Sequence, residues 1–321
     1  MRIAPQYLPV VSLIVSFIKK LKISSLTLLL CFSVGVRAEV TISPSDVFSQ
    51  VVQVDKEVEL IMNAQGVQGN HLEKHYPVKL LPRHVWQKSY FIFVKINSFR
   101  RKKGLPVNNI NSMEPVLEMD PNAPYEQTQR LLTELNIIKK RLGIEAEVTK
   151  LEKFVGKKPV DVFNRFQKIS LNLDILNRED INPALVFAEV IRIYEDINTI
   201  LRLRKLQDTT FPPEKLADVT PGDSLKAAFE LMQEVQKLQV NIGLSTTDFS
   251  PFLNKGDEAA LPADVFNMVG MVLAELQPVK ARMNLKYSIT PAAKFYTEKS
   301  PADFHQLWLW LKRKINLIHR L

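Results

Sequence analysis

Glycine and cysteine are scarce in this sequence, and each scarcity narrows the folds and chemistries open to it. Only 10 of the 321 residues are glycine, and the single cysteine is Cys31. With 46% hydrophobic residues, this composition is typical of a helix-rich globular protein with a sizeable core, and it excludes a disordered or low-complexity chain. Because no cysteine follows Cys31, disulfides and thiol chemistry are excluded from the rest of the chain.

The sequence also lacks the motifs of familiar catalytic sites. It contains no G-x-S-x-G nucleophile turn, no glycine-rich loop for phosphate and no C-x-x-C-H haem attachment. Glu134 and Glu275 occupy matched positions in an internal repeat, but neither copy carries the Glu-x-x-His ligands of a di-iron bundle. We therefore expect a protein without enzymatic activity and without a cofactor.

One pair of histidines has the spacing of a metal site. His71 and His75 are four residues apart, which on a helix would place both imidazoles on one face. The H-E-x-x-H motif of metalloproteases is not formed, because leucine follows the first histidine. An exposed polar turn explains the pair more simply, so we predict no metal site and keep His71 and His75 only as candidates.

The N-terminal segment has the features of a secretory signal peptide. An apolar run at residues 23–36 follows three lysines and precedes small residues that end at Ala38. We therefore predict a signal peptide at residues 1–38 and export of the protein, with the bacterial periplasm as the expected compartment. Removing the five cations of this segment lowers the formal charge from +9 to +4, which weakens the compositional case for nucleic-acid binding.

A short proline motif recurs along the rest of the chain and predicts where helices begin. In its first copy Ser43 is a suitable N-cap, Pro44 a suitable first helical residue, and Asp46 completes a capping box. The copies are followed by apolar residues at alternating spacings of four and three, as in helices packed into bundles. The sequence therefore predicts an all-α fold of eight helices. Their expected starts lie near Pro44, Pro82, Pro124, Pro159, Pro183, Pro221, Pro262 and Pro301.

The predicted helices also repeat as a block. A shift of 139 residues places Val47 on Val186 and brings the prolines of the first two helices onto those of the fifth and sixth. We infer an internal duplication, with one four-helix unit at residues 39–178 and its duplicate at residues 179–321. Two tandem four-helix bundles are the expected architecture, and a continuous eight-helix array is the alternative.

Two long connections occupy matched places in the two units. Residues 105–123 follow the second helix, and residues 244–261 follow the sixth. Loops of this length in a compact domain often carry function. If both bundles had an up-down arrangement, the two loops would lie at equivalent ends, where we expect recognition to occur.

Aromatic residues supply one set of candidate binding residues. Trp86 and Tyr90 continue the buried face of the second helix, which indicates a place in the core, with a ligand pocket as the alternative. Phe91 and Trp310 fall off the apolar seams. Either they belong to the core, or they are exposed and mark an interface with a partner or between the two bundles.

Basic residues supply the other set. Arg100 and Arg101 begin a basic run at the end of the second helix, and residues 312–314 form another in the eighth. Cations at such positions offset the helix dipole, and a patch that binds an anion or an anionic surface is the functional alternative. If the second and eighth helices ran the same way, the two runs could share one end of the molecule.

Together these patterns favour an exported, non-enzymatic scaffold that binds a protein partner or a component of the cell envelope. The alternative is a soluble periplasmic sensor of a small molecule or an ion, because the architecture alone resembles the four-helix ligand domains of bacterial receptors. We expect no nucleic acid as a partner. Peripheral membrane association and the oligomeric state stay open.

Overall fold

A computed structural model describes residues 41–69, 76, 78–110, 112–148, 151–178, 181–253 and 260–319. The predicted signal peptide and the candidate metal ligands His71 and His75 lie outside the described residues. Within them the secondary structure is entirely helical and includes no strand, which confirms the all-α prediction. The eight α-helices are α1 (Pro44–Ala64), α2 (Pro82–Lys102), α3 (Asn122–Arg141), α4 (Pro159–Asn177), α5 (Pro183–Leu203), α6 (Pro221–Asn241), α7 (Pro262–Arg282) and α8 (Pro301–Ile318), with a 3-10 turn at Ser250–Phe252.

The proline motif explains where these helices begin. Proline is the first helical residue in every helix except α3. At this position the N–H that proline lacks would have no partner within the helix, so its absence breaks no hydrogen bond. In α1 the backbone N–H of Ser43 donates to the carboxylate of Asp46 at 2.8 Å, and in α6 that of Thr220 donates to Asp223 at 3.0 Å. These capping boxes satisfy backbone groups that a helix start otherwise leaves unpaired.

The four helices α1–α4 all point in the same direction. Lys168 of α4 bonds to Asp55 at 2.9 Å and to Glu59 at 2.8 Å, and all three residues lie midway along their helices. The first turns of the four helices meet at one end in a small cleft. That cleft is lined by Pro44, Val47, Pro82, Val85, Pro121, Pro124, Pro159 and Val162. The up-down arrangement considered above therefore does not occur in α1–α4.

Parallel helices require each connection to travel back along the bundle, and this explains the long loops. The connections within α1–α4 and within α5–α8 contain 17 to 20 residues, and the helices are about 30 Å long at 1.5 Å per residue. Residues 142–158 run back along α1, since the N–H of Phe154 donates to Ser49 and that of Lys157 donates to Ser45. Loop length here reflects topology.

Helices α5–α8 repeat the arrangement of α1–α4. In the first set α1 and α2 each pack on α3 and α4, and in the second α5 and α6 each pack on α7 and α8. Lys139 of α3 pairs with Glu57 of α1 at 2.5 Å, and Lys280 of α7 pairs with Asp196 of α5 at 2.7 Å. The paired residues match in the alignment of the two units. The internal duplication and the boundary between residues 178 and 179 stay predictions.

The two sets meet where α2 packs on α7, and these two helices run antiparallel. Arg83 at the start of α2 contacts Glu275 in the second half of α7, whereas Phe91 in the middle of α2 stacks on Phe266 near the start of α7 at 4.1 Å. Because α7 is surrounded by α2, α5 and α6, almost all of its residues are buried. No helix in the described ranges is long and apolar enough to span a membrane.

Candidate functional site

A buried ion pair joins the two sets of helices near the start of α2. Glu275 accepts hydrogen bonds from Arg83 at 2.8 and 3.0 Å on one oxygen and from Gln239 at 2.6 Å on the other. Burial alone would raise the pKa of Glu275, but the hydrogen bond from His84, the charge of Arg83 and the hydrogen bond from Gln239 lower it to about 2. The carboxylate therefore stays ionised.

His84 is neutral in this arrangement. Its Nδ1 accepts the backbone N–H of Leu81 at 2.9 Å, the role that aspartate plays in the other capping boxes. Its Nε2 must then carry the proton that faces Glu275 at 2.5 Å. Burial lowers the pKa of His84, although Glu275 opposes that shift. A second proton on Nδ1 would face the Leu81 N–H and break the cap.

We call the interface between α2 and α7 the joint. Lys88 lies in the joint, one turn after His84, and its hydrogen-bond acceptors are side-chain amide oxygens. Its Nζ donates to Gln167 of α4 at 2.5 Å and to Asn267 of α7 at 2.7 Å. Burial, helped by the charge of Lys95, lowers the pKa of Lys88 well below its usual value. The lysine is only 2% exposed, so this polar network ties α2, α4 and α7 together and does not present an open site.

An open site lies at the other end of α2, where two adjoining cavities form what we call the groove. Their volumes are about 260 and 220 Å³. The groove is bordered by the end of α2, the start of α5 and the segments at residues 107–110 and 292–296. The two cavities share Ser98, Arg101, Asn182, Leu185 and Phe295.

The groove combines exposed apolar side chains with an available cation. Phe295 is 73% exposed, and the guanidinium of Arg101 lies 5.0 Å from the centre of its ring. Arg101 forms no ion pair with any described residue. Among the described residues that line the groove, the one acid is Asp174, and it is paired with Lys95 at 2.6 Å. The described lining is therefore basic, and the described residues show no group of three or more acids, histidines or cysteines placed to hold a metal.

Comparison with known proteins adds no relative. No family model, no curated protein and no solved structure matches this chain. The function must therefore be argued from the geometry of the chain itself.

The structure separates the two arginines that the sequence places side by side. Arg100 is buried, and its guanidinium already has partners, because it contacts Glu134 and donates to the carbonyl of Pro106 at 2.6 Å. Arg101 is exposed and faces the groove. The two basic runs do not meet at the groove, because Lys312 pairs with Glu230 of α6 and none of residues 312–314 lines the groove at the end of α2.

The aromatic candidates occupy three different places. Trp86 and Tyr90 stack at 6.0 Å within the core that continues into α5–α8, and Tyr90 also reaches the groove wall. Phe91 lies between the two sets of helices, one of the two interfaces expected from its position off the seam. Trp310 is partly buried and donates to Thr210 at 2.9 Å, remote from the groove.

Sequence reasoning missed the opposite wall of the groove. Phe295 and Tyr296 come from the connection at residues 283–300, which has no apolar periodicity. The available signal in the sequence was the presence of Tyr287, Ile289 and Phe295 in a connection, and in the structure all three are more than half exposed.

Proposed function

We propose that this protein is exported and acts, without enzymatic activity, as a helical scaffold that binds a protein partner through the groove. The observation that carries the proposal is the coincidence, at one place, of a cavity, an unpaired cation and exposed apolar side chains. Arg101, Val107 and Phe295 supply those features. Arginine and aromatic residues that surround a cavity are typical of protein interfaces.

The chemistry of the groove supports binding over catalysis. Among the described residues that line it, the charged side chains are Lys95, Arg101, Lys102, Asp174 and Lys294. None of the described residues that line it is a histidine or a cysteine. The strongly shifted groups Lys88 and Glu275 lie in the sealed joint, where they hold helices together.

Site-specific photo-crosslinking tests the proposal. A benzoylphenylalanine at position 295 should give a discrete adduct with one protein in the native cells. The same group at position 155, which is 89% exposed on the connection at residues 142–158, should not. Equal adducts at both positions, or none at position 295, would contradict partner binding at the groove. Determining the N-terminus of the recovered protein tests export, which predicts a chain that begins at Glu39.

A small-molecule sensor is the second candidate, and the cavity of about 260 Å³ is the observation that favours it. Native mass spectrometry of the protein from its own cells would show a small, discrete mass increment if a ligand is bound. That increment should disappear when Leu185, which lines both cavities, is replaced by Trp.

A further inference from the structure

The connection that forms one wall of the groove is anchored along its inner edge and unpaired along its outer edge. The carbonyl of Pro291 accepts from Arg192 at 2.9 Å, and Ala293 lines the same cavity as Tyr90. Among the described residues, the backbone of residues 292–297 makes no hydrogen bond to other backbone. The peptide groups of Ala292 and Lys294 therefore have no backbone partner among the described residues.

The facing segment is held in the same way. The N–H of Asn108 donates to the side chain of Asn97 at 3.0 Å, and its carbonyl accepts from that side chain at 2.8 Å. The side chain of Asn97, which belongs to α2, thus hydrogen-bonds both the N–H and the carbonyl of Asn108. Two irregular segments therefore border one cavity, and neither pairs with other backbone among the described residues, which leaves backbone groups for an additional extended chain.

The charge of the groove restricts what that additional chain can be. Among the described residues of the groove, Arg101 and Lys294 are exposed cations, and Asp174 is paired with Lys95. The start of α5 supplies little further attraction, because Asn182 accepts the N–H of Ala184 at 2.8 Å. The chain's own residues 1–38 carry five cations and no acid, so this segment is repelled by the groove.

We propose, resting on the proposed function, that the groove binds an extended acidic peptide segment of the partner. A carboxylate of the segment pairs with Arg101, and a neighbouring apolar side chain enters the cavity beside Val94, Val107 and Leu185. The peptide backbone lies along residues 292–296. Arg101 is the specific contact because stacking on Phe295 holds its planar fork in place, whereas Lys102 already donates to the carbonyl of Asn177 at 2.5 Å.

An array of random eight-residue peptides, incubated with the full-length protein, tests this inference. The expected result is enrichment of peptides with Asp or Glu next to Leu, Ile, Val or Phe. For an enriched peptide, replacing the acid by its amide should weaken binding about 10- to 100-fold, the range for a charged hydrogen bond. Every second backbone N–H of an extended peptide faces the protein. Methylating the nitrogens of that set should weaken binding, and methylating the nitrogens of the other set should not.

Protein variants assign the binding to the groove. Arg101→Gln should cause the same loss as removing the peptide's acid, and the two changes together should cost no more than either alone. Arg141→Gln is the matched control, because Arg141 is an exposed arginine at the end of α3. Arg101→Glu should bind the corresponding peptide with lysine in place of the acid.

The outcomes separate this inference from the proposed function. Array peptides that bind equally well with amides in place of acids would overturn the acidic-peptide inference and leave partner binding intact. A discrete adduct at position 295 in cells, without any enriched peptide, would do the same. Loss of both the adduct and the enrichment would overturn both proposals.

Discussion

The close approach of α2 and α7 depends on Gly270, and replacing it by alanine is the sharpest test of the joint. A Cβ at this position would lie 2.8 Å from Cε2 of Phe91 and 3.3 Å from Cγ of Gln87. The first distance is shorter than carbon atoms tolerate, and the ring of Phe91 is itself stacked on Phe266. The ring therefore has nowhere to move without opening the joint.

Two opposing effects set the size of the change. Alanine in place of glycine inside a helix normally stabilises by about 1 kcal/mol. Overpacking a well-packed core costs about 1–3 kcal/mol. We expect Gly270→Ala to lower the free energy of unfolding by up to about 2 kcal/mol, as the difference of these two effects. Gly222→Ala is the matched control, because the nearest atom to its Cβ would be Thr220 Oγ1 at an ordinary 3.6 Å, and it should stabilise or leave stability unchanged.

Urea unfolding followed by circular dichroism measures both variants, and Phe91→Leu completes a double-mutant cycle. Removing the ring edge makes room for the new methyl group, so Gly270→Ala should be harmless or stabilising in the Phe91→Leu background. The coupling between the two sites should then be about 1–3 kcal/mol. If Gly270→Ala and Gly222→Ala stabilise equally, or if no coupling appears, α2 and α7 do not pack as described.

Three further predictions address the buried charges and the direction of the helices. Arg192→Met should destabilise by about 3–5 kcal/mol because it leaves the buried Glu189 without its partner at 2.6 Å, and adding Glu189→Leu should restore most of the loss. Glu275 has a pKa of about 2 in the folded protein and an ordinary value of 4.5. Its contribution to stability should therefore be complete above pH 4.5 and lost as the pH falls towards 2, a loss that should be smaller in Glu275→Gln when urea midpoints are compared. Spin labels at Asn63 and Lys140, near the ends of α1 and α3, should lie within roughly 20 Å of each other after the single native cysteine is replaced by serine. An antiparallel pair would place them roughly 30 Å apart or more.

Helix positions could be predicted well from this sequence because their determinants are local. Proline at the first helical position and a capping carboxylate three residues after the N-cap act within one turn, and seven helices begin at the predicted proline. The exception is α3, which begins at Asn122 instead of Pro124. There, Asp120 accepts the N–H of Asn122 and starts the helix two residues earlier.

The direction of the helices could not be predicted, because an apolar seam has the same periodicity whichever way a neighbour runs. The informative feature was the length of the connections, which is more than a hairpin between antiparallel helices needs. Residues 105–123 and 244–261 were interpreted as recognition loops. In the structure their length is required to return the chain to the starting end, and part of the first connection nevertheless lines the groove.

The candidate site could be predicted only in part for a related reason. Arg101 belongs to a basic run visible in the sequence, but its neighbour Phe295 is nearly 200 residues away and lies in a connection without periodic pattern. The joint was equally hidden. The 139-residue shift places Phe91 on Glu230, which pairs with Lys312 on the surface. Of these two matched residues, Phe91 alone packs between the two sets of helices.

The parallel arrangement has a consequence for how the chain reaches its fold. Sequential helices in an up-down bundle can pair as soon as they form, which keeps contacts local and folding fast. Here α1 packs on α3 and α4, and α2 packs on the same two helices. A stable pair of packed helices therefore cannot form before α3 has been made. A chain crossing a membrane from its N-terminus would carry α1 and α2 with their apolar faces uncovered until about residue 141 has emerged. We therefore expect slower folding than in hairpin-connected bundles of the same size. The proposed export would then require a chaperone during transit.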